Sequence, residues 1–278
     1  MNIYFIGGGN MARAIIGGLK QNGFSMSAIT VLEPDADKRH ALSHELGINT
    51  TDSYTSFNLA DVIVLAVKPQ QLRQVCTTLQ PHLHTHLDKH PGKHLLVSIA
   101  AGVRSKDISR WLAGYEAIVR VMPNTPAQIG AGISALYALP AVNTEQRQQA
   151  SMILEAVGKV LWLDDETEMD AVTAISGSGP AYVFYLIEAL QEAGLALGLK
   201  PEAARLLALE TFSGASLLAT QSDTDIKTLR AQVTSKGGTT EQGILTLENR
   251  HIKEIMREAA KAAADKSVLL GDQLGESQ

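Results

Sequence analysis

The sequence predicts an α/β chain: a doubly wound, mostly parallel sheet covered by helices, followed by an all-helical domain. Three observations predict it. Short apolar runs alternate with helical periodicity over residues 1–163. Several of those runs are apolar throughout rather than alternating, which suits strands covered on both faces. Past residue 163 only helical patterns remain.

Taken in order, Asn2–Ile6 is short, apolar and β-prone, and it stops at three glycines. Asn10–Gln21 reads as a helix, with Met11, Ala14, Ile15 and Leu19 at helical spacing, ended by Gly23. Ile29–Leu32 is a second strand, and Asp35–Leu46 a helix that stops at Gly47. Val62–Val67, Leu95–Ile99 and Ala117–Val121 are further apolar strands. Ile153–Val157 and Val160–Leu163 form the last helix–strand pair. Helices then follow at Ala181–Leu197, Pro201–Thr220, Thr224–Val233, Glu241–Asn249 and Ile252–Leu270, and the polar tail Gly271–Gln278 is expected to fray. Pro201 sits where a first helical residue is tolerated. The division expected is 1–163 and 164–278.

Ala181–Leu197 is apolar around most of its circumference. Such a helix has to be covered on all sides. In so small a helical domain, a second subunit is expected to cover part of it.

The bulk numbers exclude several function classes. The formal net charge of −5 offers no basic footprint for nucleic acid. No apolar run reaches the roughly 18 residues of a membrane span. The N-terminus lacks the basic start of a signal peptide, so a cytoplasmic protein is expected. The single cysteine, Cys76, reads as a small apolar residue on a helix face. His82, His84, His86, His90 and His94 lie close together. Pro81, Pro91 and Gly92 interrupt them and no Cys joins them, so the segment reads as a solvated connector and not a metal site.

The chemistry starts at Gly7-Gly8-Gly9-Asn10-Met11-Ala12. A pyrophosphate needs backbone N–H donors at close range and the positive end of a helix. Gly7 permits the tight turn after the strand, Gly9 lets the backbone approach phosphates, and Ala12 lets the helix pack on the strand. The pattern is weak alone. Between a strand and a helix, with βαβ periodicity after it, it reads as a dinucleotide loop. The second strand ends at Glu33, where a carboxylate accepts from a ribose 2′-hydroxyl and favours NAD; Lys38 or Arg39 could instead pair with a 2′-phosphate, so NADH and NADPH both stay open. Lys68, in Ala66-Val67-Lys68-Pro69, falls at a strand's carboxyl end, where ligands sit in open α/β sheets.

Asn124 and Thr125, between Pro123 and Pro126, either meet the nicotinamide or substrate or simply close a turn. Two glycine-rich segments in the helical part read as anion-ready helix starts: Ser176-Gly177-Ser178-Gly179-Pro180 and Ser235-Lys236-Gly237-Gly238-Thr239-Thr240. Two in one domain point to a bound carboxylate.

These segments resemble pyrroline-5-carboxylate reductases, above all through Asp170–Tyr182 and Ser235–Thr240, and the resemblance runs along essentially the whole chain. It implies a Rossmann domain joined to a helical dimerisation domain. It implies NADPH- or NADH-dependent reduction of the C=N bond of 1-pyrroline-5-carboxylate to L-proline, the last step of proline biosynthesis. It further implies an intertwined homodimer assembled into a ring of dimers, a decamer. The substrate carboxylate would lie against Ser235, Gly237, Gly238 and Thr239, with Ser176 nearby and the catalytic Thr240 facing the ring nitrogen. Ile6, Gly7, Gly8, Gly9, Asn10, Met11, Ala66, Val67, Lys68, Pro69, Ile99, Ala100, Ala101 and Asn124 would meet the cofactor. Ser53 aligns with a ribose-binding position. Glu33 stands where many members have a small polar residue, and Lys236 where many have Pro.

One rival is a β-hydroxyacid dehydrogenase, which would need a Lys on the long helix Ala181–Leu197; there is none. Another is a non-catalytic nicotinamide sensor, which would need no second ligand loop.

Overall fold

The computed structural model describes residues 1–87 and 94–276. The strands are β1 (Ile3–Ile6), β2 (Ile29–Leu32), β3 (Asn49–Thr51), β4 (Val62–Leu65), β5 (Leu95–Ser98), β6 (Ile118–Met122), β7 (Gly132–Ala138) and β8 (Gly158–Trp162). Between them run α1 (Asn10–Gln21), α2 (Ala36–Leu46), α3 (Pro69–Leu87), α4 (Ser105–Trp111) and α5 (Thr144–Glu155). The sheet order is β3-β2-β1-β4-β5-β6-β7-β8, and only β6 and β7 pair antiparallel.

Residue alternation explains why β1 and β4 are apolar throughout. In β1, Ile3 and Phe5 join Ile15, Ile16, Leu42 and Ile153 on one face. Tyr4 and Ile6 join Leu72, Cys76, Leu79 and Ile108 on the other. Both faces are dry, so a polar side chain on such strands needs a partner, as Arg120 on β6 has in Glu166. Cys76 is one of these core residues, and burial pushes its thiol up to about 12. It is inert packing and not a nucleophile.

Two strands are absent from the sequence reading. β3 is a short polar edge strand, Asn49-Thr50-Thr51, with no apolar run to mark it. β7 mixes Gly, Ser and Ala with Ile, Leu and Tyr, a composition with no strand signature, and it holds its place through the ladders to β6 and β8.

The histidine segment also differs. His82 and His84 lie on α3, which continues through Pro81 to Leu87. The His82 ring stacks on Tyr54, and His84 Nε2 lies 3.0 Å from the Leu112 carbonyl. His94 is buried, its Nδ1 2.7 Å from the Ala60 carbonyl. So these three are helical or core residues and not a solvated connector. His90, Pro91 and Gly92 lie outside the described residues. Among the described residues no cluster of three His, Cys, Asp or Glu could hold a metal.

After β8 come α6 (Met169–Val172), a π-helical turn (Thr173–Gly177), α7 (Gly179–Ala196), α8 (Pro201–Gln221), α9 (Ile226–Gln232), α10 (Thr239–Asn249) and α11 (Ile252–Glu276). Packing divides the chain into Met1–Ser178 with Ala263–Gln278, and Gly179–Ala262. That differs from a division at residue 163 because two segments pack on the sheet unit. Glu166 is tied to Arg120 and Ser105, and Asp170 accepts from Ser267 Oγ at 2.6 Å. The C-terminal part of α11 is the second such segment, helical through Glu276 where the polar sequence predicts a frayed tail, and Ser277 and Gln278 of that tail lie outside the described residues. Gly271 and Gly275 let the helix approach the chain near Gly102 and Asp107, where a Cβ would come within 3.1 and 2.7 Å. Arg104 pairs with Asp272 at 2.7 Å, and Arg110 donates to the Gly275 carbonyl at 2.6 Å.

The unit 179–262 has almost no core of its own. Only Ala204 and Ala208 are buried, both on the face of α8. Nothing on α7 is buried, and Phe184 and Tyr185 are 66% and 71% exposed. The expected covering of that helix is therefore not supplied within one chain. No helix among the described residues is long and apolar enough to cross a membrane.

Candidate active site

The sheet order reverses at β1, which has β2 on one side and β4 on the other. Ligands of open α/β sheets bind outside the carboxyl ends of the strands at such a point. A cleft of about 580 Å³ opens there. Ile6, Gly7, Gly8 and Gly9 form one wall, Glu33 and Lys38 another, and Ala66, Val67 and Lys68 a third.

Each glycine has a distinct reason. Gly7 has φ +102°, and a Cβ there would lie 2.7 Å from the Ala66 carbonyl oxygen, closing β1 onto β4. A Cβ on Gly8 would strike Leu42 at 2.5 Å. Gly9 has open space around it and precedes α1, whose first turn has no acidic residue and no side-chain cap. Donors at that turn and the helix's positive end therefore face free space, which fits a pyrophosphate. Ala12 is buried against the sheet.

Glu33 lies across from the loop. Its Oε2 accepts from Gly8 N–H and its Oε1 from Asp35 N–H, each at 3.3 Å. Arg39 turns away, donating to the Glu33 and Pro34 carbonyls at 2.8 and 2.7 Å and pairing with Asp52 at 3.4 Å. Asp35 caps α2, and the Lys38 N–H it accepts is the main cause that holds its carboxyl below the usual range.

Other expected cofactor residues sit apart from the cleft lining. Asn10 and Met11 open α1, and Pro69 opens α3. Ile99, Ala100 and Ala101 form the turn after β5, where Ile99 N–H donates to the Leu65 carbonyl at 3.2 Å. The Ser53 carbonyl accepts from Tyr4 OH at 2.8 Å. Asn124 Oδ1 accepts from Ile133 N–H at 3.0 Å, the turn-closing arrangement. The sequence reading missed Tyr54, Gln71, Gln74, Val75 and Thr78 in the lining. The last four recur at helical spacing on α3, but that spacing does not say which face meets a ligand.

In the helical unit, Ser235–Gly238 forms a tight loop into α10. Gly237 has φ +73°, and Gly238 N–H donates to the Ser235 carbonyl at 3.0 Å. Gly237 N–H donates to Glu241 Oε2 at 2.7 Å. The loop thus already holds a carboxylate, one supplied by its own helix. Glu241, the third residue of α10, was overlooked; a Glu at that position of a helix start is the available signal. Thr239 and Thr240 are exposed at the first turn.

The segment around Ser176 differs from expectation. It is not a helix entrance with free donors. Ser178 N–H donates to the Thr173 carbonyl at 2.8 Å, and Ser176 Oγ to the Val172 carbonyl at 3.1 Å. Pro180 has no N–H to continue the regular ladder, which favours a π turn here.

The comparisons with known proteins follow this geometry. Residues 166–270 match the family model described as pyrroline-5-carboxylate reductase dimerisation, and residues 2–102 the one described as NADP oxidoreductase, coenzyme F420-dependent. The pyrroline-5-carboxylate reductase of Pseudomonas aeruginosa is 42% identical over 99% of this chain and 98% of its own length. The chain belongs to the pyrroline-5-carboxylate reductase family. A solved reductase of that name from Coxiella burnetii superposes with TM-score 0.91 at 42% identity, covering 97% of this chain and 98% of the other. One from Plasmodium falciparum, solved with NADP bound, gives 0.83 at 30% identity and 98% coverage of both. The dimerisation model spans the whole of the unit 179–262, whose helices α7 and α8 expose apolar side chains, and short segments on either side of it.

Proposed function

We infer that this chain reduces 1-pyrroline-5-carboxylate to L-proline with NADH or NADPH, the last step of proline biosynthesis. The observation that carries the reading is the whole-length identity to reductases of that name, together with a glycine cleft at the sheet's switch point.

When bound, the reduced nicotinamide supplies the hydride that the imine carbon accepts. Residues 6–11, 66–69 and 99–101, with Glu33, Ser53 and Asn124, are assigned to holding the dinucleotide. Residues 164–278 are assigned to the substrate and the dimer. The loop Ser235, Gly237, Gly238 and Thr239 is assigned the substrate carboxylate, and the Gly237 N–H that donates to Glu241 supports an acceptor-binding turn there. Ser176 assists from the π turn. An imine accepts hydride best with its nitrogen protonated, and the substrate can bind in that form, so no strong acid is required of the chain. Thr240 orients the ring nitrogen through its hydroxyl, and positioning supplies much of the rate.

Addition of pyrroline-5-carboxylate to the chain with NADH or NADPH is expected to oxidise the nucleotide, and no oxidation with either sinks the reading. Thr240→Ala is expected to lower turnover by about 10²-fold while dinucleotide affinity stays within about twofold. Thr240→Ser should recover most of the turnover. Normal turnover in Thr240→Ala would remove that residue from the mechanism.

The assembly is proposed as a dimer through the helical unit, extended to a ring of dimers, and the location as cytoplasmic. Phe184→Asp and Tyr185→Asp place a charge on the uncovered face of α7. Light scattering after size exclusion is expected to show them shifted to monomer at concentrations where the parent chain is oligomeric. An unchanged mass would rule out that face.

A further inference from the structure

We propose that Glu33 makes NADH, rather than NADPH, the reductant of this chain. The inference rests on the reductase reading and adds the choice of cofactor to it.

The end of β2 is where a dinucleotide places its adenosine ribose. Glu33 occupies that end and lines the cleft. Its two oxygens are fixed by Gly8 and Asp35 N–H donors, so the carboxylate is held beside the glycine loop and does not wave in solvent. A carboxylate accepts from a ribose hydroxyl. Toward a 2′-phosphate it has no proton to donate, and the like charges repel.

The nearby cations do not reverse this. Arg39 is spent on the Glu33 and Pro34 carbonyls and on Asp52, so its guanidinium braces the turn instead of reaching the cleft. Lys38 lines the cleft and lies 3.9 Å from Asp35. The Lys38 backbone N–H is the main cause that holds the Asp35 carboxyl below the usual carboxylate range. The surroundings of the subsite thus hold Glu33, Asp35 and Asp52 against Lys38 and Arg39. A phosphate dianion would meet the Glu33 carboxylate, the acid among the residues lining the cleft, with Lys38 beside Asp35 and Lys68 following β4 on the other side of β1.

Calorimetric titration of the intact protein with NADH and with NADPH tests the proposal apart from turnover. NADH is expected to bind about tenfold or more tightly, from one fixed like charge at close range. Glu33→Gln keeps the size and removes the charge, and Glu33→Ser removes both. Each is expected to shift the NADH-to-NADPH affinity ratio toward NADPH by about tenfold, and kcat/KM for the two nucleotides should follow. Equal or tighter binding of NADPH by the parent chain overturns the proposal, as does an unchanged ratio in both variants or failure to bind either nucleotide. Tighter NADH binding with no oxidation on adding pyrroline-5-carboxylate supports the assignment of Glu33 while defeating the reductase reading.

Discussion

Gly7→Ala is expected to abolish dinucleotide binding and to destabilise the sheet unit together. At φ +102° a side chain is strained by about 1–3 kcal/mol before any contact is counted. The added Cβ then meets the Ala66 carbonyl oxygen at 2.7 Å and the Val67 side chain at 3.0 Å. The carbonyl is backbone of the residue that follows β4, so the clash cannot be relieved by turning a rotamer. Relief requires β1 and β4 to part at the cleft floor, where Ile6 N-terminal to it is buried in the core. Titration with the preferred nucleotide should show affinity lower by at least about 10²-fold, as expected when roughly 3 kcal/mol separates the binding-competent backbone from the relaxed one. Gly9→Ala is the matched control, because a Cβ there meets nothing of the protein within 4 Å. It should leave the melting temperature unchanged and weaken the nucleotide alone. Parent-like affinity in Gly7→Ala would refute the role given to the loop.

Glu166→Ala is expected to be the most destabilising substitution away from the cleft. Glu166 accepts from Arg120 Nη1 at 2.9 Å and from Ser105 N–H at 2.7 Å, and its other oxygen accepts from Ser105 Oγ. It therefore links the turn after β8 to β6 and to the start of α4. The Arg120 side chain is only 6% exposed. Removing the carboxylate leaves that guanidinium buried without a counter-charge, which costs roughly 3–5 kcal/mol. Urea unfolding at one fixed protein concentration measures it, since stability in an oligomer depends on concentration. Glu166→Gln keeps acceptors for Arg120 and Ser105 and should lose less. A loss below about 1 kcal/mol in Glu166→Ala, the range of an exposed pair, would mean that the bridge is not buried in solution.

The legible parts of this molecule are those where one force acts alone. The strands β1 and β4 are dry on both faces and apolar throughout, and β5 and β6 depart from that at Ser98 and at Arg120, which Glu166 partners. The glycine loop is legible because φ and close approach leave no other residue type at Gly7. The segments that eluded the sequence are fixed by partners far along the chain. β7 is held by its neighbours in the sheet and not by its composition. The end of α11 looks polar enough to fray, yet Gly271 and Gly275 let it close on the sheet unit, and Arg104 and Arg110 fasten it. Ser176 looked like a helix entrance because Gly and Pro usually punctuate. Here they accommodate a π turn. His94 reads as one of a polar run, but its ring is buried beside Phe57 and hydrogen-bonded to the Ala60 carbonyl. At the site itself, the loop Ser235–Thr240 stands out by its glycines, whereas the α3 face of the cleft is ordinary helical sequence.

The central claim is an imine reduction that ends in proline. The most direct measurement follows the reduced nucleotide and the product together, with pyrroline-5-carboxylate as substrate. Nucleotide oxidised and L-proline formed should appear in equal amounts, and both should fall together in Thr240→Ala. Oxidation without proline, or no oxidation with either nucleotide while binding persists, would contradict it.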